Sequence, residues 1–230
     1  MPRLPALPAG LAIVALALAG LAGAAPAAAQ EDRLLRAEFW TDLNGIPASG
    51  DPWPLPLPVA AGRLVDEAAF VFSGQLWGFD FDWTPSDKAR NVAEYFAIVP
   101  AGGIPHGDPR LLPEDTRVEG QSLLAYVSYR PTATEAGLLA SYALSPWKSA
   151  QGQGSGSYLK GYAGRREAYG EAARAALRDL LRGLEPNKPR RVKGVIVFSG
   201  TPRIAVVDGD YRVYARFRIK VTEVQSWERF

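Results

Sequence analysis

Two runs of cations have spacings that could hold an anion. Arg212, Arg216, Arg218 and Lys220 fall at alternate positions along Tyr211–Val224. On a strand, alternation places successive side chains of one face about 7 Å apart. Arg174, Arg178 and Arg182 recur every four residues, which places them along one side of a helix. Arg190, Arg191 and Lys193 follow closely. The strand row could bind a polyanion such as a cell-wall polymer, lipid head groups or nucleic acid, and the helix row with the cluster after it leaves an anionic partner open. The ordinary alternative is a solvated face, or one covered by acids such as Asp80 and Asp82.

Other residue types offer weaker chemistry. Asp80, Asp82 and Asp87 could supply oxygen ligands to calcium. They lack the central glycine and terminal glutamate of a calcium loop. His106 stands near Asp108 and could act as a general base. Trp77, Phe79, Phe81 and Trp83 share one strand face, either as a sugar-stacking platform or as core. Neither Phe72-Ser73-Gly74 nor Phe198-Ser199-Gly200 forms a nucleophile elbow. A phosphate loop and a dinucleotide fingerprint are also missing.

Composition narrows the field further. There is no cysteine and only one histidine. Disulfides, thiol nucleophiles, cysteine-ligated zinc and iron–sulfur clusters are therefore excluded. We assign no catalytic residue, metal or cofactor. The leading expectation is a non-enzymatic binding or assembly module with a basic face. Its expected partner is an anionic envelope component or another protein, not nucleic acid. The 24 Asp and Glu residues leave open a cell-wall glycan hydrolase using two carboxylates. Self-association driven by charge is a third class. Residues 31–115 carry a net −8 and residues 116–230 a net +9. Such a split serves either internal packing or separate partners.

The positioning elements follow from periodicity. Leu34–Asp42 reads as a strand. Pro47–Pro58 is too rich in proline for a helix or central strand and reads as an extended connector, with Trp53 and its leucines either a peptide ligand or, as expected, pins to the core. Val59–Phe72 has a helical apolar face, with Asp66 and Glu67 opposite and Gly74 as its stop. Leu76–Trp83 alternates as a strand, Val92–Val99 reads as another, and Pro100–Pro113 as a long loop. Ser122–Tyr129 is a strand, while Thr134–Leu144 fits either a helix or a strand. Ser145–Gly164, rich in Gly and Ser, reads as the most flexible tract. Arg165–Leu184 is the clearest helix, ended by Pro186. Val192–Phe198 is a strand, and Asp208-Gly209-Asp210 turns a hairpin into the long strand Tyr211–Val224.

This order predicts an α+β fold: a mainly antiparallel sheet, two principal helices packed on it and long Gly/Pro-rich loops. A plan of two helix-then-hairpin halves, meeting near residues 115–160, is compatible with it.

Residues 1–30 read as a secretory signal peptide. Arg3 supplies the positive region, Leu11–Gly20 the apolar stretch and Ala27-Ala28-Ala29 the small-residue cleavage site. Residues 31–230 then form a single exported domain, periplasmic or secreted, with no transmembrane anchor after cleavage. Intact-mass measurement of the protein exported by a bacterial host should show a chain beginning near Gln30 or Glu31. Retention of Met1 would overturn this expectation.

Overall fold

The computed structural model describes residues 34–184 and 188–227. The signal peptide expected over residues 1–30 lies outside them. Asp32–Phe230 forms one compact unit. Its strands are β1 (Leu35–Asp42), β2 (Phe79–Thr84), β3 (Tyr95–Pro100), β4 (Leu111–Glu119), β5 (Ser122–Tyr129), β6 (Lys148–Ser157), β7 (Arg191–Phe198), β8 (Arg203–Val207) and β9 (Asp210–Gln225). Its helices are α1 (Leu57–Leu76), α2 (Ala133–Ser141) and α3 (Tyr162–Leu184). The architecture is α+β, with every strand pairing antiparallel.

The strands divide into two sheets. A small one runs β1-β5-β4, and a large one runs β3-β2-β7-β9-β6 with β8 also on β9. β9 is the hub of the large sheet: it pairs β6 on one side and both β7 and β8 on the other. A bulge between Lys193 and Gly194 shifts the β7 register, leaving Thr222 as the extra residue of β9.

α1 is wedged between the sheets. Phe72 meets Phe39 of β1 with ring centroids 5.6 Å apart. Phe70, two residues earlier and on the other side of the helix, meets Phe79 at 5.4 Å and Phe198 at 6.1 Å. α3 lies beside α1, where Tyr169 touches Phe70. The layers are thus sheet, helix pair, sheet, and one continuous apolar core joins them. Each fully buried large side chain in it is worth roughly 1.5–3 kcal/mol.

Several elements depart from their expected form. Ser145–Gly164 is not a flexible tract: it holds β6 and the start of α3. Gly152, Gly154 and Gly156 face α3, paired with Ala215, Val213 and Tyr211 of β9. A Cβ at Gly152 would lie 1.9 Å from Ala172 O, at Gly154 2.2 Å from Ala168 O, and at Gly156 2.0 Å from Gly164 O. The α3 backbone therefore rests directly on β6, through the stripe Gly164, Ala168, Ala172 and Ala176. These glycines are there for close approach rather than flexibility.

Gly74 is likewise not a helix stop. A Cβ there would come within 2.4 Å of Phe198 and 2.9 Å of Phe79. α1 instead ends before Gly78, whose φ of +70° suits glycine. Its start lies inside the expected connector, with Pro58 in the first turn, where a proline costs no helical hydrogen bond. Of the expected pins of that connector, Leu55 is buried at 4% exposure, whereas Trp53 is 64% exposed and does not pin it. Arg63 Nη1 also holds Asp51 Oδ2 at 3.0 Å. The segment open between helix and strand becomes α2, set by a capping box between Thr132 and Glu135. The loop expected over residues 100–113 gives way to β4 at Leu111.

The β6–α3 contact makes a paired prediction. Gly154→Val should lower stability by about 1–3 kcal/mol or more through overpacking. Gly170, in the same helix, has nothing near its would-be Cβ, so Gly170→Ala should raise stability by about 0.4–1 kcal/mol. Urea midpoints of the two variants should move in opposite directions.

Candidate functional site

The outer face of the large sheet is set by the alternation of β9. Tyr211, Val213, Ala215, Phe217 and Ile219 are buried on the helix side. Arg212, Tyr214, Arg216, Arg218 and Lys220 consequently point the other way. On β6 the register places Ser155, Gln153, Gln151 and Ser149 beside Arg212, Tyr214, Arg216 and Arg218. On the opposite side, Arg203 of β8 neighbours Tyr214. The result is a cationic row edged by neutral hydrogen-bonding side chains.

Little neutralises this row. Arg212 Nη2 lies 3.2 Å from Asp208 Oδ2, and that carboxylate is itself 82% exposed. Arg216, Arg218 and Lys220 form no ion pair among the described residues. The acids of this face gather farther along the sheet. Arg191 makes a two-pronged pair with Asp82, one prong 2.7 Å long. Lys193 Nζ lies 3.1 Å from Glu223 Oε2. The hydrogen bonds from Arg191 hold the Asp82 carboxyl below its usual range. Asp80 is exposed and shares a register row with Val195 and Lys220. Asp82 thus covers a cation of β7, not of β9.

The arginines of α3 are placed differently. Arg178 pairs in two-pronged fashion with Glu94, which also accepts a 2.9 Å hydrogen bond from Trp83 Nε1. Arg174 sits 5.1 Å from the Phe96 ring centroid and 2.9 Å from Glu171 Oε1. Arg182 lies 3.2 Å from Asp179 Oδ1, with both groups exposed. Arg174 and Arg178 therefore bolt α3 to β3 and to the approach to it. A cleft of about 430 Å³ lies here, lined by Trp83, Glu94, Arg178, Arg182 and Lys188. Because α3 covers the inner face of the sheet, the two basic rows do not merge.

The remaining candidates separate as well. Phe79, Phe81 and Trp83 are buried in the core. Trp77 packs where a Cβ at Gly102 would lie 2.6 Å from its ring. Asp82 goes to Arg191 and Asp87 to Arg90, so the three aspartates do not converge. His106 Nδ1 is 3.5 Å from Asp66, not Asp108, and is 86% exposed. Asp108 is held by Arg110 at 2.7 Å.

One cluster gave no sequence signal. Glu67, placed opposite the apolar face by periodicity, is instead 1% exposed. Its carboxylate lies 3.0 Å from Arg165 Nε and accepts a 2.6 Å hydrogen bond from Tyr169 Oη. Arg165 also donates to Trp40 O at 2.9 Å and stacks 4.1 Å from the Trp40 ring centroid. Burial pushes the Glu67 carboxyl up, against the pull of Arg165 and Tyr169. Asp42 nearby is also raised by burial. The adjoining cavity is about 20 Å³, room for a single water but not for a sugar ring. This cluster joins α1, α3 and β1 and offers no open cleft between two carboxylates.

Glu67→Gln should remove the partner of a buried guanidinium and cost about 3–5 kcal/mol. Glu67→Gln with Arg165→Met should recover part of that loss, as read from urea midpoints. pH acts on other carboxyls with a known sign. Arg63 holds Asp51 down to about 2 from 3.8. Its stabilisation is complete above pH 3.8 and is lost as pH falls toward about 2. Asp51→Asn should therefore flatten the acid limb of the stability curve over that window.

Comparisons with known proteins add relatedness without an activity. The chain is 28% identical over 164 residues to an uncharacterized protein of Treponema pallidum (strain Nichols), covering 71% of this chain and 69% of that one. No solved structure matches it. A protein-family model matches residues 22–227; spanning both sheets and all three helices, it shows that the chain belongs to that family.

Proposed function

We propose that this is an exported envelope protein that binds an anionic partner through the outer face of its large sheet, without catalysis. The single observation that carries the reading is the row Arg216, Arg218 and Lys220. These cations lack ion pairs among the described residues and lie on the sheet face opposite α3. Gln151, Gln153, Ser149 and Tyr214 beside them supply hydrogen-bonding groups suited to phosphate, sulfate or carboxylate. Export rests on the charge, apolar and small-residue pattern of residues 1–30. It favours an envelope polymer or protein over nucleic acid. No helix of the described residues is long and apolar enough to cross a membrane.

Arg216→Ser, Arg218→Ser and Lys220→Ser combined should elute from heparin at clearly lower salt than the parent. Arg174→Ser with Arg182→Ser serves as the comparison, since those groups lie elsewhere on the molecule. Unchanged retention of the β9 variant, or an equal drop in the α3 variant, would count against the face.

A further inference from the structure

The large sheet ends in a strand with an open side. β6 bonds to β9 along ten residues, Lys148 to Ser157. Along its other side, no backbone partner occurs among the described residues. Other sheet edges carry the usual protections. β4 contains Pro113 and a bulge between Glu114 and Arg117. β3 ends at Pro100, and β8 is five residues long with Arg203 at its start. β1 bears Arg36, Glu38 and Asp42. β6 has no proline, no register shift and a single charge, Lys148 at its first position.

We infer that the open edge of β6 accepts an extended peptide as an added antiparallel strand, continuing the antiparallel pairing of the sheet, with acidic side chains on the outer face. This rests on the anionic-partner reading above and names the partner as polypeptide. A cleft lies around this edge. It measures about 580 Å³ and is lined by Gln151, Gln153, Ala175, Asp179, Arg203 and Arg216. Those residues come from both faces of the sheet, so the cleft wraps the strand rather than sitting on either surface.

The chemistry selects the occupant. An added strand would lie two strand spacings, roughly 10 Å, from β9. Arginine and glutamate side chains together span that gap across the neutral Ser and Gln row. Outward acidic residues would then meet Arg216 and Arg218. Inward residues would run under the flank of α3 beside Ala175 and must be small. Backbone pairing would supply affinity, and the alternating faces would supply selectivity.

A second copy of the chain fits this edge poorly. α3 rests directly on β6 at Gly152, Gly154 and Gly156. Two such edges paired flush would place two helices about one strand spacing apart, about 4.8 Å. Packed helices need about 8–10 Å between axes. The partner strand must therefore come without a helix above it.

The probe is a fluorescent peptide of about ten residues alternating Glu and Ala, near the usual upper length of a strand. Its anisotropy is read against the full chain. Two derivatives carry backbone N-methyl groups on the Glu amides only or the Ala amides only. Strand pairing predicts binding by the parent peptide and a loss of at least about tenfold for one derivative only, because alternate amides point to opposite edges. Arg216→Ser with Arg218→Ser should weaken the parent peptide further. Equal binding of both derivatives, no binding of the parent peptide, or a salt-independent dimer that excludes the peptide would each overturn the inference. Heparin retention decides the other reading separately. Retention that depends on Arg216 without peptide pairing leaves the basic face standing alone. Peptide pairing with no such retention removes the polyanion reading and keeps the edge.

Discussion

A Cβ at any of the three inward glycines of β6 would fall about 2 Å from backbone atoms of α3, and most of the structure follows from that closeness. The helix can settle onto the strand only because β6 presents glycines and α3 presents glycine and alanines. Once seated, α3 has its Arg165–Tyr169 side against α1 and its Arg174–Arg178 side against Phe96 and Glu94. The position of α1 between the sheets is fixed in turn, and with it the meeting of Phe70 and Phe72 with two different sheets. Dispersion between closely packed backbones is weak per atom pair but large in sum. Packing of this kind tolerates no added atom, whereas a contact through long side chains would adjust.

The electrostatics close the same joints. The acidic first half and the basic second half meet at Glu67–Arg165, Glu94–Arg178, Asp82–Arg191 and Glu38–Arg117. The charge split is thus partly an internal complement. Glu67 and Arg165 are the costly members, because both lose water on burial. Tyr169 donates to Glu67 and the Trp40 carbonyl accepts from Arg165 Nη1, while Arg165 Nε and Nη2 are buried without a hydrogen bond among the described residues. Among the described residues, Arg216, Arg218 and Lys220 receive none of the acids supplied by the first half, and part of the surplus positive charge of the second half lies there.

How far the sequence was legible depends on which neighbour gives a residue its meaning. β9 was readable because the period of two is a property of the strand alone, and Asp208-Gly209 carries its own turn preference. Both adopt positive φ, 54° and 79°. The outward placement of Arg212, Arg216, Arg218 and Lys220 followed from that period. β6 was not readable, because glycine in a lone sequence signals freedom and only α3 reveals it as a fitted surface. Gly74 failed in the same way, its meaning lying in Phe198, 124 positions away. Thr132 and Glu135 could have decided the helix of α2, since their spacing is a local cap signal. Glu67 offered nothing: a charged residue beside Asp66 on a helix reads as exposed until Arg165 and Tyr169 arrive from another element.

The close packing also explains why binding potential sits on the far side of the sheet. Gly152, Gly154 and Gly156 of β6 are spent on α3, and every inward position of β9 from Tyr211 to Ile219 is core. Side chains on these strands that can reach a partner are therefore outward ones. Their identities, Ser and Gln on β6 and cations on β9, are free of packing constraint and so open to selection for recognition. The same contact stiffens β6 from above with a 23-residue helix. A glycine-rich strand would otherwise lose much conformational entropy on pairing. Held against α3, that cost has already been met in folding, and the strand's open edge is preorganised in extended form. Small residues on the inside and a polar face with an open edge on the outside are two consequences of one packing decision.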